Sequence, residues 1–145
     1  MHAATIAHTA GFTTAAGSSR AVWAGRILST LTVLFLVFDA AIKVLCMPIA
    51  IEATQQLGFT ATGVFAIGVI ELVCLALYLI PRTAILGAVL WTGHFGGAIA
   101  THLRAGSPLF THTLFPIYVA ALLWGGLWLR DERLRRVVGS GVVPA

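Results

Sequence analysis

Charged side chains are scarce in this chain of 145 residues: they make up only 10% of it, whereas 59% of the residues are hydrophobic. Soluble domains carry about a quarter charged residues, so this chain cannot cover a globular surface with polar groups. The mean hydropathy of +0.95 leads to the same conclusion. The composition therefore predicts a membrane protein, and it excludes a large soluble catalytic domain.

The chain also lacks the short motifs of familiar catalytic sites, since it contains no HExxH, no GxSxG and no glycine-rich phosphate loop. Its two cysteines, Cys46 and Cys74, form no CxxC pair. They are interpreted as apolar filling, with a redox dithiol as the alternative. The histidines at 94, 102 and 112 do not have the short spacing of a helical metal pair. No metal site is predicted, although a haem or copper site between helices stays open.

The net charge of +4 is spread over basic residues that stand singly or in pairs around apolar runs. This distribution indicates membrane topology and no nucleic-acid partner. The only basic cluster follows the last apolar run and consists of Arg130, Arg133, Arg135 and Arg136. Its predicted partner is an anionic lipid surface.

Four apolar runs, at 22–45, 60–80, 83–103 and 109–129, each approach the roughly 20 residues that span a membrane. They predict an all-α, polytopic membrane protein: an antiparallel bundle of four transmembrane helices at 21–136. Residues 1–20 are predicted to be a disordered leader and 137–145 a flexible tail. The link after the first run alternates apolar and polar residues, which predicts a short interfacial helix in the first outer loop.

Orientation follows from the basic residues outside the predicted spans, counted together with Arg26 near the start of the first span. If the N-terminus is inside, the cytoplasmic side holds Arg20, Arg26, Arg82, Arg130, Arg133, Arg135 and Arg136. The other side holds only Arg104. The positive-inside rule therefore predicts that both termini are cytoplasmic.

The most informative residues are ionisable side chains inside the predicted spans, because each is costly in lipid unless it faces the interior and finds a partner. Asp39 and Lys43 stand four residues apart, which predicts an ion pair on one helical face. Glu71 lies near the middle of the second span without a basic partner on its own helix. We expect one charge-balanced layer in the outer half of the bundle that contains Asp39, Lys43, Glu71, His102, Arg104 and His112.

This layer is interpreted as an outward-facing pocket for a substrate or cofactor, with a purely structural network as the alternative. The candidate catalytic residues are Glu71, Asp39 and His102. The candidate binding residues are Lys43, Arg104, His94 and His112, and for His94 an ordinary interior histidine is an equal alternative.

Glycines on the third span form a second pattern. Gly93 and Gly97 have the GxxxG spacing that permits close helix approach, so close packing is predicted there, with a cavity against the backbone as the alternative. The contact could lie within the bundle or between copies in a homo-oligomer. In the fourth span, Pro116 is predicted to interrupt the helix.

Several segments carry a family resemblance: residues 68–72, 80–88, 96–104, 106 and 128–131, together with Lys43. In this order they resemble the DoxX-like family of small four-helix membrane proteins, over roughly residues 26–135. The polar positions that match the family pattern are Lys43, Glu71, His102 and Arg104. His94 departs from it, since an aromatic residue often stands there.

The resemblance implies a four-helix bundle in the bacterial cytoplasmic membrane. It also implies a link to quinone-coupled oxidation of sulfur compounds and to membrane redox partner proteins. The first functional hypothesis is thus a redox-associated subunit that holds a quinone, or a similar lipophilic small molecule, against Glu71, His102 and Arg104. The second is a cofactor-free acid–base enzyme acting on a lipid or terpenoid-like substrate, with Glu71 or Asp39 as proton donor. A non-enzymatic carrier for a small molecule is a third.

Overall fold

The computed structural model describes residues 19–139, and that part of the chain contains helices and no strand. The helices are α1 (Ser19–Val44), α2 (Pro48–Gln55), α3 (Ala61–Leu79), α4 (Ala84–Arg104), α5 (Phe115–Arg130) and α6 (Glu132–Gly139). A π-helical turn, Leu109–Thr113, precedes α5.

Four segments are long and apolar enough to cross a membrane: α1, α3, α4 and the stretch Leu109–Arg130. The predicted fold class is confirmed, including the short helix after the first span. α1 packs against α3 and α5, and α4 packs against the same two helices, so the four spans enclose a common interior. Large apolar side chains such as Leu34, Phe38 and Val73 are exposed on the outside, where lipid would cover them.

The two ends of the bundle differ. The start of α1, the short α3–α4 turn and α6 lie at one end, called here the terminal side. At the other end, α2 and the turn between α4 and the π-helical turn form the loop side. α2 begins at Pro48, which suits the first turn of a helix because its missing N–H would have no helical partner there. Ala50 is its buried residue, and α2 contacts both α1 and α3.

The ends of the chain differ from the prediction in detail. Ser19 and Arg20 already belong to α1, so the last two residues of the predicted leader are helical. Residues 137–139, predicted as tail, belong to α6. α6 is ordered because Asp131 Oδ1 accepts the backbone N–H of Arg133 at 2.8 Å and because Leu134 is buried. The predictions for residues 1–18 and 140–145 lie outside the described residues.

The fourth span is divided, as Pro116 predicted. The π-helical turn ends at Thr113, Leu114 precedes α5, and Pro116 lies in the first turn of that helix, where its lack of an N–H leaves no bond unmade. The Thr113 hydroxyl donates to the Ser107 carbonyl at 3.4 Å. The apolar run at 109–129 is therefore one span in length but two helical pieces in structure.

Glycines bring α1 close to its neighbours on the terminal side. A Cβ on Gly126 would lie 2.6 Å from Ser29 Oγ, and one on Gly25 would lie 2.7 Å from the Cβ of Leu129. α1 and α5 therefore cross at a distance that only glycine permits at these two positions. Near this crossing, the Tyr78 hydroxyl donates to the Leu123 carbonyl at 3.1 Å, which ties α3 to α5.

Candidate functional site

Four ionisable side chains meet inside the bundle: Asp39, Lys43, Glu71 and His94, called here the inner group. Lys43 Nζ lies 2.6 Å from Asp39 Oδ2 and 2.5 Å from Glu71 Oε1. The predicted pair of Asp39 and Lys43 is therefore formed. Glu71 has no basic partner on its own helix, and Lys43 on α1 serves as that partner.

Gly68 explains how α1 and α3 come close enough for this contact. A Cβ on Gly68 would lie 2.8 Å from the Cβ of Lys43 and 3.0 Å from the backbone nitrogen of Val44. Glu71 follows Gly68 by three residues, which places it on the same face of α3. The close approach at Gly68 thus positions the Lys43 ammonium on the Glu71 carboxylate.

His94 completes the inner group from α4. Its Nε2 lies 3.0 Å from Glu71 Oε1, and its ring packs edge-on against Trp91 at 5.3 Å between centroids. The inner group holds two carboxylates and one ammonium. With a neutral imidazole the net charge of the group is −1. One further proton, on the imidazole or on a carboxylate, makes the group neutral.

Several polar atoms of this region keep unused hydrogen-bonding capacity among the described residues. Glu71 is fully buried, and its Oε2 has no hydrogen-bond partner there. The buried indole Nε1 of Trp91 also has none. Lys43 uses two of its three ammonium donors, on Asp39 and Glu71. Of these atoms, only the third ammonium donor of Lys43 belongs to a partly exposed side chain, so it can bind a polar ligand.

A cavity of about 700 Å³ extends from the inner group to the loop side. Its volume is in the range of small-molecule sites. Within the cavity wall, Asp39 is 32% exposed, His94 21% and Lys43 15%, whereas Glu71 is fully covered. A molecule in the cavity would therefore touch Asp39, Lys43 and His94, with Glu71 behind them.

Aromatic side chains and α2 form the rest of the cavity. Five aromatic residues line it: Phe35, Phe59, Trp91, Phe95 and Phe115. Residues 53, 54, 56 and 57 of α2 and the turn after it line the loop-side end. The cavity thus has a charged inner end, flat apolar walls and a cover formed by α2.

A second set of polar residues, called here the outer group, lines the cavity toward the loop side: His102, Ser107 and His112. His102 Nδ1 lies 3.1 Å from Ser107 Oγ, and the rings of His102 and His112 are 5.9 Å apart between centroids. His112 Nδ1 lies 2.8 Å from the Thr111 hydroxyl. Within residues 19–139, no group of three His, Cys, Asp or Glu side chains is arranged to hold a metal ion.

The prediction of a single layer that includes Arg104 was wrong. Arg104 is exposed, does not line the cavity, and donates to the Leu57 carbonyl at 3.0 Å. It stands ten residues beyond His94, which is about 15 Å along a helix, so it cannot reach the depth of Glu71. His102 and His112 share the cavity with Glu71 but belong to the outer group.

The close packing predicted at Gly93 and Gly97 does not occur within the bundle. A Cβ on Gly93, Gly96 or Gly97 would have no atom within 4 Å. Gly97 lines the cavity instead. The close approach of α4 occurs at Gly87, where a Cβ would collide with the backbone of Tyr78.

The aromatic wall on α4 was missed, although the sequence contains a signal for it. Trp91, Phe95 and His102 follow one another at spacings of four and seven residues, which place them with His94 on one side of a helix. The two cysteines are free: Cys46 is exposed at the loop side and Cys74 is buried on α3, one turn from Glu71.

Comparison with known proteins places this site within a family. A model of the DoxX-like family matches residues 27–126, which include the inner and outer groups and leave out α6. No curated protein and no solved structure matches the chain.

Proposed function

Since this chain belongs to the DoxX-like family of membrane proteins, we propose that it is a redox-associated subunit that binds a quinone, or a similar lipophilic ring, in the cavity. The observation that carries the proposal is that an aromatic-walled cavity ends at a group of ionisable side chains in mutual contact. Apolar walls with a few convergent polar groups are typical of small-molecule sites.

The inner group suits a quinone because it can both donate a hydrogen bond and supply a proton. The third ammonium donor of Lys43 is available to a carbonyl oxygen. His94 and Glu71, at 3.0 Å, form a pair that can pass a proton to that oxygen. Conversion to the quinol takes two electrons and two protons. The electrons come from a membrane partner protein, and the protons come through the inner group.

The outer group provides a route for those protons to the loop side. His102, Ser107 and His112 line the cavity between the inner group and the loop-side end. With both termini cytoplasmic, as the distribution of Arg residues favours, the cavity opens toward the outer face of a bacterial inner membrane. Proton exchange would then take place with that face.

A direct test is mass spectrometry of small molecules that co-purify with the chain in mild detergent. We expect a quinone, enriched over its share in the membrane extract and close to one per chain. A preparation that carries only phospholipids and takes up no added quinone would refute the proposal. The His94→Phe variant keeps an aromatic ring at this position but removes the imidazole that would transfer a proton. It should therefore bind quinone and lose proton-coupled turnover with the membrane partner protein.

One observation favours a second function, a cofactor-free acid–base enzyme for a lipid or terpenoid-like substrate. The His94 and Glu71 pair lies beside the ammonium of Lys43 at the inner end of the cavity, an arrangement that can protonate a bound substrate without a cofactor. Turnover of a lipid by the purified chain alone, abolished in His94→Phe, would favour this function over quinone binding.

A further inference from the structure

A second cavity lies at the opposite end of the bundle from the first and is independent of the proposed function. It measures about 430 Å³ and opens at the terminal side between α1, the α3–α4 turn, α5 and α6. Four arginines from three helices line it: Arg26, Arg130, Arg133 and Arg136. Its apolar lining consists of Pro81, Ala84 and Leu127.

Three of these arginines have no acidic partner among the described residues, and two of the three lie over aromatic rings. The guanidinium carbon of Arg130 lies 5.1 Å from the centre of the Tyr78 ring, and that of Arg26 lies 5.7 Å from the Trp23 ring. The buried Nε of Arg130 has no hydrogen-bond partner among the described residues. Over residues 19–139, the guanidinium group of Arg133 likewise makes neither an ion pair nor a hydrogen bond.

Among the described residues, neither of the two carboxylates at this cavity forms an ion pair with Arg26, Arg130 or Arg133. Asp131 accepts the backbone N–H of Arg133 at the start of α6. Glu132 lies 3.8 Å from Arg135 and 3.9 Å from Arg136. The positive charge of Arg26, Arg130 and Arg133 is therefore not neutralised by direct contact with either carboxylate.

We propose that this cavity binds a phosphate group, with Arg26, Arg130 and Arg133 as its ligands. Guanidinium groups offer planar pairs of donors that match phosphate oxygens, and several arginines around one cavity favour an anion with more than one charged oxygen. The cavity lies where the spans end, the depth of lipid headgroups, and basic pockets at this depth bind phosphorylated headgroups. The phosphate belongs to a membrane lipid or to a free phosphate ion, and the test separates the two.

The test titrates the purified full chain in mild detergent with dioleoylphosphatidic acid and, separately, with inorganic phosphate. Bound lipid is counted by native mass spectrometry, and the unfolding temperature is measured in parallel. We expect saturation at one phosphate group per chain. Saturation by the lipid alone identifies a headgroup site, and saturation by inorganic phosphate identifies an ion site.

Matched variants show whether the cavity itself binds. Arg133→Gln and Arg26→Gln should each weaken binding about tenfold, the equivalent of one charge-assisted hydrogen bond. Arg82→Gln is the control, because Arg82 is exposed on the same side and does not line the cavity. Equal weakening by Arg82→Gln would overturn the proposal, since it would show a diffuse charge effect. Equal binding of oleate, a carboxylate lipid, or no saturable binding of either probe would also overturn it.

Discussion

Lys43 is the residue on which the inner group depends, because its ammonium contacts both carboxylates. The Lys43→Met variant removes the ion-pair partner of Asp39 and leaves Glu71 with only His94. Glu71→Gln is milder, because Lys43 keeps Asp39. Breaking a buried ion pair typically costs about 3 to 5 kcal/mol, so we expect Lys43→Met to lower the free energy of unfolding by that order and Glu71→Gln to lower it by less.

The double variant provides the control for this prediction. With both charges of the Lys43 and Glu71 pair removed, much of the lost stability should return, while ligand binding should not. Chemical unfolding in detergent measures all three variants. Strict additivity of the two single effects would contradict the account, because residues in contact must show a coupling energy.

Much of the inner group could be predicted from individual residues. The spacing of Asp39 and Lys43 predicted their ion pair, and the burial of Glu71 predicted a partner from another helix. The predicted layer around Glu71 contained that partner, Lys43, but it also contained Arg104 and left out His94. Arg82 lies in the turn of the α3–α4 hairpin, eleven residues after Glu71 and twelve before His94. The register of the hairpin therefore places Glu71 and His94 side by side. Arg104 was included in the layer for its charge, although it lies too far along α4.

At the scale of elements, the α1–α3 contact at Gly68 decides whether the inner group forms. Gly68→Ala should force the two helices apart, because its Cβ would lie 2.8 Å from the Cβ of Lys43. Overpacking of this kind costs about 1 to 3 kcal/mol. We therefore expect a lower unfolding temperature in detergent together with weaker ligand binding.

Gly93→Ala on α4 is the matched control for that variant, because a Cβ there has open space around it. Alanine favours helix over glycine by up to about 1 kcal/mol, so Gly93→Ala should keep or raise the unfolding temperature. If Gly68→Ala were as stable as Gly93→Ala, the close approach of α1 and α3 would not hold Lys43 in place.

The helices themselves were predictable because apolar runs of spanning length have few alternatives in a membrane. The role of each glycine was not predictable. Gly87, Gly93 and Gly97 lie on one helix, yet only the first packs against a neighbour, at Tyr78. A GxxxG spacing shows that close approach is sterically allowed, and the direction of the neighbouring helix decides whether it occurs. On α4, Gly97 faces the cavity, and Gly93 has no neighbouring helix within contact distance.

At the scale of the whole molecule, orientation can be tested with the native cysteines. Cys46 is exposed at the loop side and Cys74 is buried. With both termini cytoplasmic, a membrane-impermeant thiol reagent should label intact cells at Cys46. Cys46→Ser should abolish the labelling.

The reverse control places a thiol at the other end of the bundle. Val138→Cys, in a Cys46→Ser background, puts an exposed cysteine on α6 at the terminal side. It should be labelled only after the cells are broken. Labelling of Val138→Cys in intact cells, without labelling of Cys46 in the unaltered chain, would show the opposite orientation. The cavity would then open toward the cytoplasm.

The measurement that tests the central claim most directly compares two leucine substitutions on α4. A Cβ at Gly96 or Gly97 would have open space, but only Gly97 lines the cavity. Both variants should fold and unfold as the unaltered chain does. After incubation with a short-chain ubiquinone and removal of the free ligand, Gly96→Leu should retain about one quinone per chain and Gly97→Leu almost none. Equal retention by the two folded variants would show that the quinone does not occupy this cavity and would contradict the account.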